Sequence, residues 1–265
     1  MSSEPWVATA RAAMDANMIA FFAAYGAAQG CTLLDHNGNT MFYTGVPHPL
    51  FNGAISVRDV PGDILAFNDR LEIEIRRHKA PALWWVGSGA QNASIGRRLS
   101  ALGLDPLGPT PAMGCDITPI AAEPLPDGLR IEEARTREAR VEWARLAGRG
   151  TGFAKAAADA LAEVEGRIPD DALSAQWRFT GILNGEPVAT AALVGTGSVA
   201  GIYAVATMPE ARRFGIATAM TRYALRLAAG AGLTVGVLQS SDAGRGIYGA
   251  LGFREVFDYE LYRPS

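Results

Sequence analysis

Arg212-Arg213-Phe214-Gly215-Ile216-Ala217 decides the fold, together with what stands on either side of it. Val199 to Ala206 leads into it as a strand-like run. A helix pattern begins inside it, with Ile216, Met220, Tyr223 and Leu227 at spacings of four, three and four. Those spacings place the four side chains on one helical face. A strand, a glycine turn and a helix start together suit a phosphate-bearing ligand. The first-turn N–H groups lack intrahelical partners, and the helix dipole adds partial positive charge there. Gly215 lets a pyrophosphate approach the backbone, and Arg212 and Arg213 add charge.

The pattern Arg/Gln-x-x-Gly-x-Gly/Ala occurs three times, at 145–150, 149–154 and 212–217. The first two follow a charged helical segment with no strand before them, so they read as a helix end and loop. Only the third has the context the chemistry needs. Downstream, Gly230-Ala231-Gly232 stops the helix, and Leu233 to Leu238 reads as a buried strand. Ser240-Ser241-Asp242 offers an N-cap for a short helix that carries Tyr248 and ends at Leu251-Gly252-Phe253.

This ordered set resembles the GNAT acetyltransferase superfamily, which transfers acyl groups from acyl-coenzyme A. The matching pieces are Val205-Ala206-Thr207, the 212–217 loop and Tyr248-Gly249-Ala250-Leu251-Gly252-Phe253, within roughly residues 128 to 265. The resemblance implies that the fourth and fifth strands splay and hold pantetheine between them. Val205, Ala206 and Thr207 would then bind the arm through backbone groups. Arg212, Arg213, Phe214, Gly215, Ile216, Ala217 and Thr218 would cradle the pyrophosphate. Tyr248 becomes the general acid for the departing thiolate. In the C-terminal motif Gly244 and Ser241 stand where the family often has alanine and asparagine. The base is missing: Val199 to Ala206 contains no Asp or Glu. Tyr203, with an ordinary pKa near ~10, is a poor base at neutral pH, and Glu255, Asp258 and Glu260 read as surface or hairpin residues. A water relay fills that gap.

Composition sets limits on partners. The chain has 265 residues, 49% of them hydrophobic and 19% charged, with a formal net charge of -3. It can bury substantial cores, and nothing in it recommends nucleic acid as a partner. Cys31 and Cys115 are too far apart in sequence for metal-ligand spacing and make no disulfide framework, which predicts reduced thiols and a cytoplasmic protein. Met18 to Ala28 is apolar, but no basic segment precedes it, so a packing helix is expected and not a leader. No run of eighteen apolar residues predicts a membrane span. His36, His48 and His78 show no ligand spacing, and no metal is expected.

Glu123-Pro124-Leu125-Pro126-Asp127-Gly128 is the best linker, giving domains 1–123 and 124–265. In the second, Leu129 to Glu133 is a strand, followed by helices Arg135 to Leu146 and Phe153 to Glu165. An antiparallel meander follows, with turns at Asn184-Gly185 and Gly195-Thr196-Gly197. The meander then passes into strand–helix–strand, which gives an α/β fold with a mixed sheet. The first half repeats the plan: a strand at Ala82 to Val86, a Gly87-Ser88-Gly89 loop, a helix from Ser94 to Leu102 and then Leu102-Gly103-Leu104. Gly53 to Arg58 and Asp63 to His78 match the strand and helix on the cofactor side. Its loop is Arg58-Asp59-Val60-Pro61-Gly62-Asp63, where Pro61 removes a donor and the acids repel phosphate. Leu99 stands where the second copy has Tyr248.

Two GNAT-like domains are therefore expected, each a mostly antiparallel sheet flanked by helices, and only the second would hold acetyl-coenzyme A. The activity implied is N-acetyl transfer to a primary amine, small-molecule or peptide, by direct attack in a ternary complex. A coenzyme A-binding sensor without turnover is the alternative. Pro47 to Gly53 forms a rigid aromatic loop that either overhangs the acceptor cleft or lies on the surface. Monomer and homodimer both remain open.

Overall fold

The computed structural model describes residues 4–89 and 91–264. In chain order the elements are α1 (Pro5–Gly26), β1 (Thr32–His36), β2 (Asn39–Tyr43), β3 (Asn52–Ser56), α2 (Pro61–His78), β4 (Leu83–Val86), α3 (Asn92–Ala101) and β5 (Asp105–Asp116). The second half follows with β6 (Leu129–Glu133), α4 (Arg137–Thr151), α5 (Lys155–Glu165), β7 (Gln176–Leu183), β8 (Glu186–Thr196) and β9 (Val199–Thr207). It closes with α6 (Ile216–Gly230), β10 (Val235–Gln239), α7 (Asp242–Ala250) and β11 (Arg254–Arg263).

One sheet runs through both halves in the order β1-β2-β3-β4-β11-β5-β10-β9-β8-β7-β6. Each half contains an antiparallel run of strands, then one parallel pair joined by a helix: β3 with β4, and β9 with β10. The two long strands that end the halves are exchanged. β11 pairs with β4, β5 pairs with β10, and β5 and β11 pair with each other at the seam. Residues 117–128 join the halves without helix or strand.

Three cores hold the layers. α1, α4 and α5 cover one face through a single continuous cluster. On the other face, α6 and α7 pack over the C-terminal strands, and α2 and α3 over the N-terminal ones. α1 takes in most of the Met18–Ala28 stretch expected to form a packing helix but starts earlier, with Pro5 in its first turn. Ala10, Met14, Met18, Phe22 and Tyr25 follow at spacings of three and four and are buried. The helix crosses the seam and touches β2, β5, β8, β9, β10 and β11. Among the described residues no helix is long and apolar enough to cross a membrane.

The sequence reading and the structure differ mainly at strands. The hairpin β1–β2 and the strands β5 and β11 were not expected. β5 contains Pro106, Pro109 and Pro111, residues that normally exclude a central strand because they cannot donate to the ladder. Both strands depart from regular pairing, with register shifts between Glu255 and Phe257 and between Leu261 and Tyr262. Asn184-Gly185 makes the predicted turn, both residues at positive φ (51° and 94°).

Candidate active site

The two halves treat their parallel strand pairs differently. In the first, β3 and β4 stay paired to their ends at Ser56 and Val86. Gly87 N–H then bonds to the Ser56 carbonyl at 2.8 Å, and Trp84 Nε1 donates to Ser56 Oγ at 3.0 Å. The turn that follows is tied down: Asp59 pairs with Arg98 at 2.9 Å, and its N–H bonds to Gln91 Oε1 at 2.8 Å. Among the described residues this pair does not part as β9 and β10 do.

In the second half, β9 and β10 pair only from Val199–Val235 to Gly201–Val237 and then part. A bulge accompanies the parting. On β8 the partners step from Thr190 to Ala192, while on β9 they step from Ala206 to Tyr203. Ala204 and Val205 thus face one residue, and Ala204 takes φ +48°, a costly conformation for a side chain with a Cβ. The Thr190 hydroxyl donates to the Ala204 carbonyl at 2.8 Å and fixes the bulge. Backbone groups of β9 are released from the β8 ladder beside the gap.

The gap widens into a cleft of 800 Å³ at the start of α6. Arg213 (φ +70°) and Gly215 (φ +72°) turn the chain there, and Gly215 caps α6 with a left-handed backbone. Such a turn points successive N–H groups into one concavity, and the N–H groups of Ile216, Ala217 and Thr218 lack intrahelical partners. The predicted residues Val205, Ala206, Thr207, Arg212, Arg213, Gly215, Ile216, Ala217, Thr218 and Tyr248 all line this cleft. Phe214 is the exception: it is 64% exposed and is not part of the lining. Arg212 braces the turn, donating to the Thr207 carbonyl at 3.0 Å and the Gly150 carbonyl at 3.1 Å.

Tyr248 sits in α7, whose N-cap Ser241 accepts from Gly244 N–H at 3.3 Å. A Cβ at Gly244 would lie 2.7 Å from the Tyr248 ring, so the residue one turn earlier must be small. Ser241 keeps its capping role, and Gly244 makes room for the phenol. Burial pushes the Tyr248 hydroxyl up to about 12, so it stays protonated through the neutral range.

A second space of 390 Å³ meets the cleft at Thr151, Val205, Ser241 and Tyr248. Its wall is aromatic: Phe21, Phe22 and Tyr25 come from α1, Trp143 from α4, and Phe51 and Phe153 from loops in opposite halves. From the Pro47–Gly53 stretch, Leu50 and Phe51 line this space. His48 stacks on Phe153 with centroids 3.6 Å apart. These residues lie far apart in the chain and carry no common motif. Only the loop could be suspected from sequence.

None of the expected base candidates serves. Tyr203 lines the chamber, but its hydroxyl donates to Asn17 Oδ1 at 2.7 Å. Burial drives its pKa further up. Glu255, Asp258 and Glu260 lie on β11 outside the chamber, and Glu255 pairs with Arg245 at 3.3 Å. Among the described residues no group of three His, Cys, Asp or Glu side chains could hold a metal ion.

Residues 165–253 match the family model described as Acetyltransferase (GNAT) family. Over that stretch, about a third of the chain, the sequence is similar to the GNAT family. That match covers α7 and the 212–218 turn, where the cleft lies. No curated protein matches the sequence. Among solved structures, a GCN5-related N-acetyltransferase from Kribbella flavida is similar at 14% identity, with 99% of this chain and 96% of that chain covered and a TM-score of 0.65. A tandem GNAT protein from the clavulanic acid biosynthesis pathway is 11% identical, with 95% and 96% covered and a TM-score of 0.58. A GCN5-related N-acetyltransferase from Sphaerobacter thermophilus is 14% identical, with 88% and 75% covered and a TM-score of 0.57. At these identities the likeness is one of fold, and it extends over both halves of the chain.

Proposed function

We propose that the protein is an N-acetyltransferase that moves an acetyl group from acetyl-coenzyme A to a primary amine by direct attack in a ternary complex. One observation carries the reading: Tyr248 borders both the phosphate-suited cleft and the aromatic chamber. A thioester brought through the β9–β10 gap would reach the junction where an acceptor in the chamber meets it. The freed backbone of Val205, Ala206 and Thr207 would pair with the pantetheine amides, and the 212–218 turn would hold the pyrophosphate. Residues 124–265 carry this site, and residues 1–123 supply α1 and the loop that close the chamber.

The amine nitrogen attacks the thioester carbonyl and forms a C–N bond. The C–S bond breaks, and the Tyr248 hydroxyl gives its proton to the departing sulfur. The proton lost by nitrogen leaves through water, because among the described residues the chamber lining holds no Asp, Glu, His, Lys or Arg side chain. Tyr248 regains its proton from solvent. Calorimetry with acetyl-coenzyme A and a thiol-release assay over a panel of amines test the proposal. Tight binding without release of thiol from any amine would favour a cofactor sensor, and absence of binding would refute both readings.

A further inference from the structure

The aromatic chamber says what kind of amine it accepts, on the premise that the protein is an acetyltransferase as proposed above. Its volume of 390 Å³ lies near the small end of the ~300–1,000 Å³ range of ligand sites. Polar atoms enter its wall only from tyrosines, Trp indoles, a few hydroxyls, Gln239 and the backbone. Among the described residues no charged side chain is part of the wall. An ammonium group moved from water into such a wall would lose its hydration with no counter-ion to replace it.

Aromatic rings alone could hold a cation, but here part of that capacity is already used. Arg178 is buried behind the wall at 2% exposure. Its guanidinium lies 5.0 Å from the Trp143 ring centroid, 5.7 Å from Phe21 and 6.0 Å from Tyr25. Glu165, fully buried, pairs with it at 3.1 Å and takes up its charge. Three rings of the chamber therefore already serve a cation from behind. A second cation on those three rings would share them with the Arg178 guanidinium.

We infer that the acceptor is a compact amine with an aromatic body, bound as the free base and bearing no second charge. This accounts for the absent base as well. A nitrogen that arrives neutral has its lone pair ready to attack, and it sheds a proton only after the C–N bond has formed. Aminoglycosides, polyamines and lysine side chains on peptides bring charges that the wall does not answer.

The test uses the full chain with acetyl-coenzyme A and follows thiol release with aniline, 2-phenylethylamine, spermidine, kanamycin and a lysine peptide. The two aromatic amines should exceed the others in kcat/KM by at least about 10²-fold, as expected for burying an unpaired charge. The pH profile should follow the acceptor: flat above pH ~6 for aniline and still rising at pH ~9 for 2-phenylethylamine, whose ammonium titrates near the usual alkylamine range. A break at the same pH for both, or a preference for spermidine or kanamycin, overturns the inference. Leu50→Glu, at a half-buried position on the chamber wall, should shift preference toward spermidine, with circular dichroism checking that the variant folds. Binding gives a readout free of turnover. 2-Phenylethylamine at high pH should quench the fluorescence of Trp85 and Trp143 saturably, and spermidine should not. Quenching by the aromatic amine without acetyl-coenzyme A binding upholds the chamber and refutes the transferase. Acetyl-coenzyme A binding with no response to either aromatic amine does the reverse.

Discussion

Tyr203 of β9 lies flat against Phe21 of α1, with ring centroids 4.3 Å apart and planes 6° from parallel. One ring belongs to the strand that borders the cleft, and the other to a helix more than 180 residues earlier. The contact stands for a wider dependence, because β10 has β5 as a neighbour and β4 has β11. Cutting the chain at the 117–128 connection strips each half of a strand and the C-terminal half of its α1 cover. A 124–265 fragment alone should show helical circular dichroism but no cooperative unfolding. Co-expression with 1–123 should restore both cooperativity and cofactor binding. A fragment that melts sharply and binds alone would show that the exchanged strands are dispensable.

The bond from Trp84 to Ser56 keeps the first half's strand pair closed where the second half's pair opens. Acetyl-coenzyme A should therefore bind once per chain, as calorimetry will report. Gly215→Glu combines a strained φ of +72° with a negative charge at the helix N-terminus. Binding should fall below detection while the circular dichroism spectrum is kept. A stoichiometry of two would place a second site in the first half and remove the basis for treating it as closed.

Legibility in the sequence followed locality. The strand–turn–helix at 199–230 and the helix with Tyr248 could be read because each is set by neighbours a few residues away: turn glycines, an N-cap and a 3.6-residue period. Ten residues named from the sequence line the cleft, whereas Phe214 does not, and Gly150, Thr151, Ala211, Ala243 and Ile247 line it with no local signal. β5 was hidden by its prolines, which fall in the stretch before Ala112 that pairs with β11 alone, since β10 pairs only Ala112 to Asp116. The strand exchange had no local signature, since either long strand could pair with either parallel pair. The chamber was hidden for the same reason: Phe21, Phe51, Trp143 and Phe153 meet only after the halves interlock.

Asn17 gives the interlock its polar centre. It is fully buried, accepts from Tyr203, and donates to the Val194 carbonyl at 2.9 Å and to Thr196 Oγ1 at 2.8 Å. Asn17→Ala leaves three groups short of a partner, at about 1–3 kcal/mol for each that water cannot reach. Gly201→Ala attacks the same spot from the strand, because its Cβ would fall 1.7 Å from Asn17 Oδ1. Both variants should lower the urea midpoint with little change in slope. A Gly201→Ala protein of unchanged stability would mean that α1 can move away from β9.

His48 should make the chamber rim sensitive to acid. Its Nδ1 accepts from Leu50 N–H at 3.3 Å, and burial holds its pKa below the ordinary value of 6.5. The unfolded chain therefore binds the proton more readily. Stability from this residue is complete above about pH 6.5 and is lost as pH falls through that value toward the folded pKa. Protonation would also set a donor against the Leu50 donor. Chemical denaturation at pH 5 and pH 7.5 should show a smaller pH effect in His48→Phe than in the parent. An equal effect in both would assign the sensitivity elsewhere.

Tyr248 offers the sharpest test of chemistry at the junction. Tyr248→Phe removes one oxygen, keeps the edge contact with Phe253 at 5.9 Å and leaves the space beside Gly244 filled, so packing should survive. With a good acceptor, kcat should fall by ~10²–10⁴-fold, the range for a lost general acid. Binding of acetyl-coenzyme A should change little, because the hydroxyl acts as charge gathers on sulfur. In the parent burial pushes the hydroxyl up to about 12, so kcat should show no alkaline decline below pH ~10. An unchanged kcat in the variant would make Tyr248 a packing residue and leave the thiolate to be protonated by water.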